Sequence, residues 1–122
     1  MFSRKNDKFD TLIGNSSELN GTVIVNGTLR IDGRFTGNIT ADWVIIGSSA
    51  DLSGDISARG VVIGSRMHGN IEASELVEIK PKGMLYGDVK TKKLTVAEGA
   101  VFEGRSFIHK EAAEPDTTED QD

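Results

Sequence analysis

Along the middle of the chain, apolar and polar residues alternate in short runs, the pattern expected of strands with one buried face. Between Gly37 and Gly54 the recurring positions are Ile39 and Ala41, then Val44 and Ile46, then Ala50 and Leu52. Between Gly87 and Gly104 the same places hold Val89 and Thr91, Leu94 and Val96, Ala100 and Phe102. Between Gly54 and Gly69 they hold Ile56, Ala58, Val61, Ile63 and Met67, with two residues missing at the third strand. Each interval therefore predicts three short strands.

The intervals themselves repeat. A glycine, a polar residue and an apolar one recur at Gly21-Thr22-Val23, Gly37-Asn38-Ile39, Gly54-Asp55-Ile56, Gly69-Asn70-Ile71 and Gly87-Asp88-Val89, and a degenerate Gly104-Arg105-Ser106 closes the series. The spacings are 16, 17, 15, 18 and 17 residues. LIGNSSELNG, from Leu12, and IIGSSADLSG, from Ile45, are the same corner two turns apart, and Val62 to Arg66 is that corner one turn further on. A coil that returns above itself after three strands is a parallel β-helix, whose rungs stack about 4.8 Å apart. The expected fold is all-β: a three-faced solenoid of about six rungs. Its inward columns would include Val23, Ile39, Ile56, Ile71, Val89 and Leu29, Val44, Val61, Val77, Leu94.

These glycine steps, with a valine or leucine seven or eight residues after each glycine, an isoleucine or valine two further on, and polar tails on both sides, resemble the bactofilins over about residues 11–108. The first rung is compressed, the third is short, and Ser106 stands where an apolar residue is usual. The resemblance implies a right-handed β-helix in a bacterial cytoskeletal protein. It further implies self-assembly without nucleotide or other cofactor into non-polar filaments, joined head to head and tail to tail. Such filaments would lie in the cytoplasm at the inner membrane and recruit or position cell-envelope and cell-shape proteins. Residues 1–10 would then be a flexible, membrane-targeting tail, 11–108 the β-helix domain and 109–122 a disordered acidic tail.

Part of this follows from physics alone. A β-helix has two open ends with unpaired backbone donors and acceptors, which monomeric solenoids cover with caps. Neither flank reads as a cap: the first ten residues are mostly polar, and the chain after Ile108 turns acidic and is broken by Pro115. Leu12, Ile13 and Leu19 at the first end, and Phe102, Phe107 and Ile108 at the last, are the expected polymer contacts. In the opening Met1-Phe2-Ser3-Arg4-Lys5, the apolar Met1 and Phe2 would enter a bilayer interface while Arg4 and Lys5 face anionic lipid. A filament multiplies that weak contact. Phe2 stands where N-myristoylation needs glycine. The outward column of the second strand reads Leu12, Arg30, Ile45, Val62, Glu78, Thr95, with Trp43 beside it. Trp43, Ile45 and Val62 are therefore a candidate lateral or partner patch.

Composition narrows the alternatives. Only 37% of the 122 residues are hydrophobic and 6% aromatic, so any core is narrow. Fourteen glycines fall well short of collagen's one in three. Without cysteine there is no disulfide and no thiolate nucleophile, as suits a reducing compartment. No apolar run reaches the roughly 18 residues of a membrane span. Residues 1–10 carry a net charge of +1 and 111–122 a net of −6; with −5 overall, the stretch 11–110 is neutral and free to self-associate.

Candidate chemistry is sparse. Asn38, Asp55, Asn70 and Asp88 stack, but Asp55 and Asp88 lie two rungs apart, about 10 Å, beyond the roughly 6.5–9.5 Å of an inverting carboxylate pair. They read as corner residues that bond nearby backbone amides. His68 and His109 are isolated and propose no metal site. Lys80, Lys82, Lys90, Lys92 and Lys93 interleave with Glu72, Glu75, Glu78 and Asp88, so no nucleic-acid surface is expected. No G-x-x-x-x-G-K-S/T phosphate loop occurs. The alternative is a hexapeptide-repeat acyltransferase, because Ile46 to Ala50 fits one hexad. Those enzymes keep nearly strict eighteen-residue coils, whereas the spacing here drifts from 15 to 18. No catalytic, cofactor-binding or metal residue is assigned.

Overall fold

The computed structural model describes residues 10–108, all strand and turn. The strands are β1 (Thr11–Ile13), β2 (Glu18–Ile31), β3 (Arg34–Ile46), β4 (Asp51–Ile63), β5 (Arg66–His68), β6 (Ile71–Ile79), β7 (Met84–Tyr86), β8 (Val89–Thr91), β9 (Leu94–Val96), β10 (Val101–Glu103) and β11 (Ser106–Ile108). Every pairing is parallel, and each strand pairs with the one a turn away. The result is a β-solenoid of about six turns. Face A carries the segments after each repeat glycine, face B the column from Leu12 to Thr95, and face C the column from Leu19 to Phe102. The longest strands, β2 to β4, bend from face to face without interruption.

Both inward columns read from the sequence are present. Val23, Ile39, Ile56, Ile71 and Val89 stack on face A, and Leu29, Val44, Val61, Val77 and Leu94 on face B. Leu19, Phe35, Leu52, Met67, Leu85 and Phe102 form the third. In the middle rungs these side chains are fully buried, each contributing about 1.5–3 kcal/mol by leaving water. The core is one layer of side chains thick, and that is why so few hydrophobic residues suffice.

The repeat glycines set the rung spacing. Gly21, Gly37, Gly54, Gly69, Gly87 and Gly104 turn the chain from face C to face A with φ between 134° and 151°, a region that other residues rarely adopt. They stack so closely that a Cβ on any of the last five would be driven into the carbonyl of the glycine below. This corner is one glycine in every turn. All the drift in coil length falls at the other two corners, where A passes to B through one or two residues and B to C through two or four.

The short third rung is thus explained differently from the sequence expectation. Its third strand, β5, keeps full register with β4, and the two missing residues come from the preceding corner. In four turns that corner is four residues long and closed by a hydrogen bond, from Ser17 N to Gly14 O, Ala50 N to Gly47 O, Gly83 N to Lys80 O and Ala100 N to Ala97 O. In the third rung only Gly64 and Ser65 remain, as only Asp32 and Gly33 do in the compressed first. There the buried Ser65 hydroxyl donates to Ala50 O at 2.7 Å, replacing the lost turn with a tie to the rung below.

Candidate assembly surfaces

The two ends of the solenoid expose residues that the fold elsewhere buries. Leu19 stacks beneath Phe35, yet it is 39% exposed where Phe35 is inaccessible. Val96 continues the column of Ile79 and is 44% exposed; Ile108 continues that of Thr91 and is 47% exposed, while both predecessors are at 0%. These side chains point inward like their column mates and meet solvent because, among the described residues, no rung lies beyond them. Phe102 and Leu94 are half-buried for the same reason.

Of the expected end contacts, Leu19, Phe102 and Ile108 occupy such positions. Ile13 does not: it is 8% exposed and belongs to the core beneath Ile31. Leu12 and Phe107 are exposed at the two ends but point outward, Leu12 on face B beside Arg30 and Phe107 on face A beside Lys90. The alternation decides this: in β11 the inward places fall to Ser106 and Ile108, which leaves Phe107 outside, with its ring 5.7 Å from the Arg105 guanidinium. Two exposed residues were not singled out from the sequence. Val96 is inward by alternation and lies in the last turn, a combination that identifies it. Ile24, outward on face A at the first end, carries no such signal.

The Asx column of face A ties rungs together. Asn70 N donates to Asp55 Oδ1, Asp88 N to Asn70 Oδ1 and Arg105 N to Asp88 Oδ1, each at 3.2 Å. The amides bonded are those of the next turn, rather than of the same corner. The last step is reinforced by Arg105 Nη2 to Asp88 Oδ2 at 2.8 Å, which fastens the terminal coil to its neighbour. That hydrogen bond holds the Asp88 carboxyl below its ordinary range and raises Arg105 above its own. His68, on face C, stacks on Tyr86 of the next turn with ring centroids 4.8 Å apart.

Face B differs from the other two. Ile45 and Val62 are half-buried and line a groove of about 420 Å³, shared with Pro81, Lys80, Lys82 and Arg30. Arg30 is held by Asp32 through Nε at 2.8 Å and Nη2 at 3.1 Å. Trp43 is half-buried as well, its indole lying over Gly60 so that a Cβ there would strike the ring. The candidate membrane contacts Met1, Phe2, Arg4 and Lys5, together with His109 and the acidic tail, lie outside the described residues. Among the described residues no helix is long and apolar enough to cross a membrane, and no three histidine, cysteine or acidic side chains gather to hold a metal.

Open-ended parallel solenoids with apolar terminal coils form a class suited to association between protein surfaces. Comparison with known proteins gives that class a family. The bactofilin profile, described as polymer-forming cytoskeletal, matches residues 11–106, and the chain belongs to that family. It is 33% identical to bactofilin BacO of Myxococcus xanthus over 96 residues, 78% of this chain and 76% of the relative. It is 27% identical to bactofilin BacP of the same organism over 97 residues, 79% of this chain but only 40% of that longer protein. The fold is similar to the bactofilin of Thermus thermophilus, solved by cryo-EM as double helical filaments, with a TM-score of 0.74 at 27% identity, covering 81% of this chain and 99% of the other.

Proposed function

We propose that this chain is a cytoskeletal scaffold subunit that polymerises through its two open coils into filaments needing no nucleotide, attached to the inner membrane by its N-terminal segment. The observation that carries this is the exposure of Leu19, Val96 and Ile108, inward-facing residues whose immediate column neighbours Phe35, Ile79 and Thr91 are wholly buried. Seating one end on another would bury them and pair the free backbone groups of the terminal strands. Membership of a polymer-forming family supports the same assembly. The membrane contact rests on Met1, Phe2, Arg4 and Lys5, and a filament displays many copies of it. Recruitment of cell-envelope or cell-shape proteins is what the family resemblance implies for the assembled scaffold.

The test is negative-stain microscopy and pelleting of the purified protein without added nucleotide. Filaments are expected, and Ile108→Arg should reduce them to monomers or dimers that stay in the supernatant while the far-ultraviolet spectrum is unchanged. A parent protein that remains a folded monomer at high concentration would overturn the proposal. Like-to-like joining is checked by Ile108→Cys in this cysteine-free chain: head-to-head and tail-to-tail assembly brings two such residues together, whereas head-to-tail assembly keeps them apart. Deleting residues 2–5 should abolish flotation with anionic vesicles while leaving filaments intact.

A further inference from the structure

The three outer faces of the solenoid are not equivalent. In the middle turns, face A presents Asn38, Thr40, Asp55, Ser57, Asn70 and Glu72, and face C presents Arg34, Thr36, Asp51, Ser53, Arg66 and His68. Face B places a run of large apolar side chains there, Trp43, Ile45, Val62 and Leu76, whereas face C reaches Met84 and Tyr86 only in the turn of Leu76. Contacts at the ends cannot cover Trp43, Ile45 and Val62, which lie two or three rungs, about 10–15 Å, from either end. An apolar strip along the side of a polymerising subunit calls for an occupant running alongside.

We propose that face B is the lateral contact between two strands of the filament, the Trp43, Ile45 and Val62 strip of one subunit packing on the same strip of a second copy of this chain. The inference rests on the end-to-end assembly proposed above and adds the surface by which two such strands pair. Three observations select a second copy. The similar Thermus thermophilus protein was solved as double helical filaments, an arrangement that requires a lateral surface. The rim of the strip carries both signs, Lys80 and Lys82 beside Glu78 and Glu75, and mixed charge complements a copy of itself across a twofold axis better than it does a uniformly anionic bilayer. Finally, six rungs about 4.8 Å apart by a four-residue strand about 13 Å long give roughly 400 Å² per subunit, or about 800 Å² per pair. That is below the roughly 1,200 Å² of a stable complex, so single subunits would not pair sideways but strands of linked subunits would.

Parent protein and Val62→Lys are assembled without nucleotide and imaged by cryo-EM. The parent should form two-stranded filaments and the variant single strands of unchanged axial repeat that still pellet. As a second arm, Val62→Cys in the cysteine-free chain should cross-link to dimers on oxidation of assembled filaments, at least ten times more than Ser57→Cys on face A. This arm keeps the test decisive if the lysine variant does not fold. Val62→Lys filaments that stay two-stranded, or cross-linking of the Val62→Cys protein no greater than that of Ser57→Cys, would overturn the proposal. So would a variant that keeps its pairing and instead loses binding to phosphatidylglycerol vesicles, which would make face B a lipid surface. A parent that forms only single strands defeats the lateral contact and leaves end-to-end assembly standing; a parent that forms no polymer defeats the assembly itself.

Discussion

Replacing Gly54 with alanine tests whether the glycine column, rather than the apolar columns, sets the rung spacing. The added Cβ would collide with the carbonyl of Gly37 and lie 2.8 Å from its carbon, against the roughly 3.5–4.0 Å that carbon atoms prefer. The obstacle is backbone and cannot rotate aside, so the two turns must part locally by about 1 Å. Parting loosens two or three rung hydrogen bonds worth about 1 kcal/mol each. The residue also keeps a φ of 142°, at a strain of about 1–3 kcal/mol, of which restriction of the unfolded chain returns about 0.4–1. The total is about 3–5 kcal/mol.

Gly21 supplies the control. Its φ of 134° is nearly the same, but it sits in the first turn and a Cβ there meets nothing within 4 Å. Gly21→Ala should therefore cost only the strain, about 1–2 kcal/mol. Urea unfolding followed by Trp43 fluorescence, at a concentration too low for assembly, should separate the two by about 2–3 kcal/mol, equivalent to roughly 10–20 °C in melting temperature. Equal midpoints would refute the stacking argument. The same pair reports on assembly: if another subunit seats on the first coil, Gly21→Ala meets that neighbour's backbone and should pellet poorly despite being the more stable variant.

Thr91 fills an inward place between Ala73 and Ile108, and its hydroxyl is buried without a partner, so Thr91→Val should raise stability by about 1–2 kcal/mol in the same urea assay. Gly60→Ala should push the Trp43 indole off the face it covers, shifting its emission to the red and costing about 1–2 kcal/mol, whereas Gly14→Ala, with open space around it, should leave emission unchanged. The lowered pKa of Asp88 means that its bond to Arg105 contributes fully above the ordinary carboxyl value near 3.8 and is lost as pH falls below that. Amide exchange at Arg105 to Ile108 should thus be flat from about pH 8 to 5 after correction for intrinsic rates and accelerate below about pH 4, and Asp88→Asn should remove that step.

The columns were legible because alternation and a repeating glycine are local signals: Val23, Ile39, Ile56, Ile71 and Val89 could be aligned by counting alone. The direction of Phe107 was also within reach of counting, since Ser106 takes the inward place, but the expectation of a polymer contact rested on its place in the last coil and not on the face it occupies. Ile13 was placed by its nearness to the end, whereas its burial depends on Ile31, eighteen residues later in the chain. The Trp43 ring over Gly60, the His68–Tyr86 stack and the Asx ties all join residues 15 to 18 positions apart in adjacent turns. A pattern of apolar and polar letters shows which face a residue occupies, but not toward which neighbouring turn its side chain leans.

Confining length changes to two corners has a consequence for the faces. Because a single glycine always carries C to A, every insertion or deletion is absorbed before the next turn begins, and outward columns stay in line whatever their composition. Each face can then do different work. On face C the column Glu18, Arg34, Asp51, Arg66 alternates in sign up to Met84 and Val101. Each such neighbour contributes only a few tenths of a kcal/mol, but a strand displaced by one rung would set like charge upon like, so the column opposes slippage. On face A the Asx side chains bond turn to turn and leave a polar surface. Face B is spared both duties, so its middle turns can carry the half-buried Trp43, Ile45, Val62 and Leu76 without weakening register or inter-turn bonding. The proposed lateral contact suits face B because the other two faces are already committed to holding the coil together.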